Sequence, residues 1–397
     1  MAYQFFAVSP RTLEPVLADE LKGLGAKQVK VGAGGVSFEG TFETAMAVCL
    51  HSRIASRVLM RIATRQYYDS HDIYDMAHLL PWEKFFDADC SLRVDVTAKN
   101  SPLESLDFTT LRIKDGICDR FREGCGVRPS IEKLNPDVRI HAFISERYCT
   151  FYLNLSGEPL FKRGWRIEKG EAPLKENMAA GLLALAGWNP SIPLVEPFCG
   201  SGTIAIEAAQ IACNMAPGLN REFAFEKLHI FDMDRWEEMK EDARAAVNMY
   251  ADVKIAASDI SSIVVGKAQS NAQRAGLGAL LEDGRLTFKQ GDAREVAPIA
   301  ESGMIVANPP YGEQSTPKSA TVGGMMKNVA DNMKRQFAGW TAWMLTSDRG
   351  LPRQMRLSES RKIVIFNGPL ECRFFKFEMV SGNFRRKEKA AEEQTQA

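Results

Sequence analysis

Glu196-Pro197-Phe198-Cys199-Gly200-Ser201-Gly202-Thr203 is the stretch on which the fold turns. It follows an apolar run, 192–196, that reads as a strand, and it opens 203–213, which reads as a helix. Gly200 and Gly202 carry no Cβ, so the loop can turn sharply and let a ligand approach its backbone. Open α/β sheets hold ligands at such points, beyond the carboxyl ends of their strands. A dinucleotide-binding turn would need a third glycine three residues after Gly202, and that position holds Ala205.

Outward from this loop, 182–188 closes a preceding helix, and 254–258, 286–290, 304–307 and 342–346 read as further strands alternating with helices. That alternation predicts a doubly wound, mostly parallel sheet. Residues 362–366 and 372–379 flank Asn367-Gly368-Pro369 and read as an antiparallel hairpin at its edge. Toward the amino terminus, 1–65 reads as β-α-β-β-α, half of a ferredoxin-like pattern. A second α+β unit, 66–166, has strands at 92–98, 139–144 and 149–155 and a helix at 108–121.

The totals restrict what this architecture does. In 397 residues, 45% are hydrophobic and 25% charged, an ordinary globular mixture. Fifty basic and fifty acidic side chains cancel, so a nucleic-acid surface must come from local clustering. From 111 to 170, twelve Lys and Arg stand against eight Asp and Glu, and Lys162, Arg163, Arg166 and Lys169 group around Trp165. Charge runs of this kind often form only a solvated face. Eight cysteines without a Cys-x-x-Cys pair suit scattered reduced thiols, and five histidines without ligand spacing imply no metal. Arg11, Glu14, Asp19 and Glu20 argue against a secretory leader, and the most apolar helix, 178–188, is too short to span a bilayer. The expected compartment is the cytoplasm.

Two carboxylates follow successive strands. Asp259 is placed to accept hydrogen bonds from ribose hydroxyls, and Asp292, in Gln290-Gly291-Asp292-Ala293, from an adenine amino group. Either acid alone could merely cap a helix or close a turn. Together with the glycine loop they point to a nucleoside cofactor. Asn308-Pro309-Pro310-Tyr311 then follows the apolar run 304–307. An exocyclic base amine is a weak nucleophile because its lone pair is delocalised into the ring. The Asn308 oxygen and the Pro309 carbonyl can accept its two hydrogens and favour its pyramidal form. Tyr311 offers a flat face to an extruded base. A proline-rich turn with a packed tyrosine is the plainer reading. Asn271 and Gln273, in the helix after Asp259, are expected to be surface polar groups.

These ordered motifs resemble those of class I S-adenosylmethionine-dependent amino-methyltransferases. Pro173-Leu-Lys-Glu-Asn-Met-Ala-Ala180 resembles the preceding motif, whose helix lies beneath the methionine part of the cofactor. Leu153-Asn-Leu-Ser-Gly-Glu-Pro-Leu-Phe-Lys-Arg-Gly-Trp-Arg166 is similar to the end of a THUMP RNA-binding domain. The likeness extends to about residue 384 and points to THUMP-containing rRNA guanine-N2 methyltransferases. It implies a ferredoxin-like domain over 1–65, a THUMP domain over 66–166, a Rossmann-like methyltransferase domain over 167–384 and a charged tail over 385–397. The last domain would hold a seven-stranded sheet with a C-terminal antiparallel hairpin. S-adenosylmethionine would contact Glu176, Glu196, Gly200, Gly202, Asp259, Asp292, Ala293 and Asn308. Asn308, Pro309 and Tyr311 would be catalytic, and Lys162, Arg163 and Arg166 would grip structured RNA, a 23S rRNA or ribosome precursor.

The stretch Ala216-Pro-Gly-Leu-Asn-Arg-Glu-Phe-Ala-Phe225, with Trp236, falls in an insertion that also resembles the rRNA group and lies between the glycine loop and Asp259. The bifunctional relative has a second methyltransferase half, for which this chain is expected to have no room. No obligate protein partner is expected. Rivals are an adenine-N6 methyltransferase, a tRNA substrate, and a non-enzymatic RNA-binding assembly factor; Glu313 and Gln314 leave the target base open. A cytosine-C5 methyltransferase would need a nucleophilic cysteine, and Cys199 lies inside the cofactor loop instead.

Overall fold

The computed structural model describes residues 2–167, 174–310 and 319–380, with backbone alone over 319–322. Two units divide the chain: Met1–Arg163 with Ala216–Ala245, and Gly164–Met215 with Ala246–Ala397.

The first unit is built on one sheet of seven strands: β1 (Tyr3–Val8), β2 (Lys27–Gly32), β3 (Gly35–Gly40), β4 (Arg57–Gln66), β5 (Leu92–Ala98), β6 (Val138–Ile144) and β7 (Tyr148–Asn154). Their order is β2-β3-β1-β4-β7-β6-β5. β4, absent from the sequence reading, pairs with β1 on one side and β7 on the other, so the two amino-terminal patterns share a sheet. Only β5 and β6 run parallel. Period-two alternation buries Val138, Ile140, Ala142 and Ile144 on one face of β6.

Ala216–Ala245 leaves the methyltransferase-like pattern and completes this first unit. A Cβ on Gly218 would meet the Cys49 carbonyl oxygen and Leu50 Cα at 2.8 Å, so only glycine passes here. The Arg221 guanidinium then donates to the carbonyls of Ser156 (3.1 Å), Glu158 (2.7 Å) and Pro159 (2.9 Å). Burial lowers its pKa to about 10. Trp236 packs edge-on against Phe223 and Phe225, and the Phe225 N–H donates to the Leu155 carbonyl at 3.0 Å.

The second unit carries β8 (Leu194–Glu196), β9 (Ile255–Asp259), β10 (Leu286–Gln290), β11 (Met304–Ala307), β12 (Thr341–Thr346), β13 (Arg361–Asn367) and β14 (Leu370–Glu378). The order β10-β9-β8-β11-β12-β14-β13 is parallel up to β12, and β14 and β13 form the antiparallel hairpin. This is the Rossmann-like sheet that the sequence implies. All four residues of β11 are buried, as a central parallel strand requires. Met326, Val329, Ala330, Met333 and Phe337 pack with Ile305, Ala307, Ala342, Met344 and Phe375 into its core. The helix Glu176–Ala186 stops at Gly187, whose φ of 73° ends it in a left-handed cap. No helix among the described residues is long and apolar enough to cross a membrane.

Candidate active site

Strand order reverses between β8 and β11, the point where such sheets leave a crevice beyond their carboxyl ends. Ala257 pairs with Glu196, and Ile305 with Val195. Asp259 and Asn308 therefore each fall two residues beyond the level of Glu196, on the strands flanking β8. Asp259 in turn pairs with Gln290, which puts Asp292 past the end of the next strand.

The glycine loop is held by its own backbone and by Asp259. The Cys199 N–H donates to the Ser258 carbonyl at 2.8 Å, and the Gly200 N–H to Asp259 Oδ2 at 3.1 Å. Asp259 Oδ1 accepts from the Ser261 N–H at 3.0 Å, so each carboxylate oxygen keeps a lone pair for a ligand hydroxyl. Gly200 and Gly202 have φ of 51° and 85°. A Cβ on Gly202 would press on Phe288 at 3.0 Å and Ala268 at 3.1 Å, whereas one on Gly200 would meet nothing within 4 Å. Gly202 thus seats the loop, and Gly200 leaves space beside it.

Glu196 is fully enclosed, and its Oε2 accepts from the Ala205 N–H at 2.9 Å in the first turn of the helix Thr203–Ala212. Burial, and secondarily Asp259, push its pKa well above the usual carboxylate range. The Cys199 thiol is likewise raised by burial and by these two carboxylates, which denies it a nucleophilic thiolate. Asp292 is closed on Arg294, whose Nε donates to both carboxylate oxygens at 2.9 Å and holds the pKa low. Ala293 beside it is buried.

Asn308 follows β11 directly, and Pro309 is buried next to it. Asn308 Oδ1 is enclosed and has no hydrogen-bond partner among the described residues. An acceptor in that condition costs free energy unless a ligand satisfies it. Tyr311, Glu313 and Gln314 lie outside the described residues, as do Lys169 and Pro173.

Three family models cover the chain: an RlmL ferredoxin-like domain over residues 4–59, a THUMP domain over 67–154, and an RMKL-like methyltransferase domain over 163–376. The chain belongs to the RMKL-like methyltransferase family. Ribosomal RNA large subunit methyltransferase K/L of Psychromonas ingrahamii is 39% identical to this RMKL-like methyltransferase over 93% of the chain and 49% of the relative. The protein of that name from Methylococcus capsulatus is 36% identical over 97% of the chain and 52% of the relative. The chain thus spans about half the length of the curated relatives it matches. Among solved structures, SMU.472, a candidate methyltransferase complexed with SAH, superposes with a TM-score of 0.86 at 27% identity, covering 96% of this chain and 99% of that one. A predicted N6-adenine-specific DNA methylase from Listeria monocytogenes gives 0.85 at 28%, covering 95% and 96%.

The expected RNA-gripping triplet needs correction in this RMKL-like methyltransferase. Arg163 is only 4% exposed, and its guanidinium donates to the carbonyls of Leu160 (2.8 Å) and Arg53 (2.6 Å). The Arg166 side chain, 8% exposed, donates to Thr203 Oγ1 at 2.6 Å and pairs with Glu176 at 3.3 Å. Both cations are spent inside the protein, and only Lys162 stays on the surface, paired with Glu158. Asn271 needs the same correction. It is fully buried, donates to the Ser201 carbonyl at 3.1 Å, and accepts from Arg274 at 2.6 Å. Its signal was available: it lies among Val265, Ala268 and Ala272, the buried stripe of its helix. Thr203 closes the glycine motif already singled out, whereas Arg274 joins the site without any such signal.

Proposed function

We propose that this chain transfers a methyl group from S-adenosylmethionine to the exocyclic N2 amine of a guanine in large-subunit (23S) rRNA, the base being turned out of its helix. The observation that carries this reading is the enclosed Asn308 Oδ1 at the end of β11, beside the switch point, which has no hydrogen-bond partner among the described residues. The names of the relatives support the rRNA substrate, and the SAH held by a structural neighbour supports the cofactor. The donor set fits that group: open space at Gly200, the free lone pairs of Asp259, and Glu176 at the start of the helix Glu176–Ala186.

When bound, S-adenosylmethionine supplies a methyl group on a sulfonium. The chain's part is positioning. Asp259, its orientation fixed by its backbone bonds, would accept from the cofactor's ribose hydroxyls, and Asp292 with Ala293 would border its adenine. Asn308 Oδ1 and the Pro309 carbonyl accept the two amine hydrogens, aim the lone pair in line with the methyl carbon, and favour the pyramidal nitrogen. Tyr311, outside the described residues, would by its aromatic chemistry offer the base a stacking face. Neither metal nor covalent enzyme intermediate is needed.

In this reading 1–65 is the ferredoxin-like domain, 66–166 the THUMP domain, 167–384 the catalytic domain and 385–397 a tail. The partner is structured RNA, and the compartment is the cytoplasm. Mass mapping of modified nucleosides in rRNA and tRNA from a strain lacking the protein tests it. Loss of one N2-methylguanosine from large-subunit rRNA is expected. Loss of an N6-methyladenosine, which the name of the Listeria neighbour favours, or of a tRNA mark would overturn the target. No lost mark would favour a non-enzymatic assembly factor.

A further inference from the structure

The dipeptide Trp165-Arg166 touches the glycine loop by two independent routes. From Arg166, the guanidinium reaches Thr203 Oγ1 at 2.6 Å and lies 3.3 Å from Glu176 Oε1, an ion pair rather than a hydrogen bond. The Arg166 and Glu176 side chains are 8% and 6% exposed, so solvent screens this pair little. From Trp165, the carbonyl accepts from Arg274 Nε at 3.0 Å, Arg274 donates to Asn271 Oδ1 at 2.6 Å, and Asn271 donates to the Ser201 carbonyl at 3.1 Å. One route ends at Thr203 and the other at Ser201, on either side of Gly202, whose φ of 85° makes it the loop's sharpest left-handed point.

We propose that Arg166 is a positioning residue of the cofactor site. Its guanidinium locks Thr203 of the glycine loop to Glu176 of the helix Glu176–Ala186, so that both are set before a ligand arrives. The proposal rests on the reading of this loop and Glu176 as the cofactor's seat. Burial lowers the Arg166 pKa, opposed by Glu176 and then Glu207, but the group remains cationic throughout the physiological range. A guanidinium suits the task because one nitrogen donates to Thr203 while its delocalised charge faces Glu176 from another, whereas a lysine ammonium is a single point.

The test uses the full chain with Arg166→Gln, Arg166→Lys, Glu176→Gln and the pair Arg166→Gln/Glu176→Gln. Hydrogen exchange without ligand reads the loop itself. Amides of 196–205 should exchange at least tenfold faster in Arg166→Gln, with Arg166→Lys between it and the parent; parental rates would overturn the proposal. Calorimetry with S-adenosylhomocysteine reads the seat. Arg166→Gln and Glu176→Gln should each weaken binding about tenfold, near 1.4 kcal/mol, and the pair should cost clearly less than the two losses summed. Full additivity would overturn the lock. Should Arg166→Gln fail to fold, Thr203→Val removes the shared hydroxyl alone, and parental exchange and affinity there would overturn the proposal equally. A parent that binds no S-adenosylhomocysteine, while Arg166→Gln still loosens the loop, would strike the cofactor reading and leave the lock standing.

Discussion

Asn308 is the residue whose chemistry and environment agree most closely: an acceptor at a strand end, enclosed, with no partner among the described residues. Asn308→Ala should lower methyl-transfer turnover about a hundredfold or more while leaving S-adenosylhomocysteine affinity nearly unchanged. Single-turnover kinetics beside calorimetry would separate the two, and equal turnover would remove Asn308 from the mechanism. Gly202→Ala tests the loop from the side of strain. Its left-handed φ costs about 1–2 kcal/mol for a residue with a Cβ, and contact with Phe288 and Ala268 adds to that, so the melting temperature should fall. An unchanged melting temperature would refute the packing account. The strand-end positions of Asp259 and Asn308 were legible in the sequence because each stands out as a polar residue closing a run that reads as a strand. Arg163 and Arg166 were not, because a basic cluster reads the same whether its guanidinium groups face phosphates or the protein's own oxygens.

At the scale of elements, the helix Thr203–Ala212 begins against a buried acid. Glu196 keeps its proton to higher pH in the native state than in the unfolded chain, because burial raises its pKa. Its stabilising contribution is therefore complete below the ordinary glutamate range and is lost as pH rises through the raised native value. Glu196→Gln keeps an acceptor for the Ala205 N–H without this titration. Its melting temperature, relative to the parent, should climb between pH 4 and pH 8; a constant difference in scanning calorimetry would contradict the assignment. The insertion offers a second test. Arg221→Ala strands three carbonyls of the segment after β7 and should destabilise the first unit by about 3 kcal/mol, seen as a lower urea midpoint. The central strands β11 and β12 could be read from their apolar runs, Met304–Ala307 and the residues 342–345. β4 could not, because a register shift between Arg61 and Ala63 breaks the alternation along Arg57–Gln66.

For the molecule as a whole, the notable feature is that sequence order and structural membership disagree. The motifs pointed to a catalytic pattern after residue 167, but nothing in composition marks Ala216–Ala245 as belonging with Met1–Arg163. Its glycine, arginine and aromatic residues gain meaning only from what they touch. A fragment ending at Arg163 should therefore show weaker exchange protection at Leu50, Leu155 and the 156–163 segment than the full chain does. Adding a peptide of residues 216–245 should restore part of it, and full protection without the peptide would show the insertion to be dispensable. The same arrangement sets a timetable during translation. Residues 1–163 leave the ribosome first, but the piece that seals them follows roughly eighty residues later, about 4–16 s at ordinary elongation rates. Through that interval the nascent chain carries an open seat for a segment not yet made, and the glycine loop emerges before that seat is filled. Synonymous codons that slow or hasten residues 164–245 would thus change folding yield without altering a single side chain.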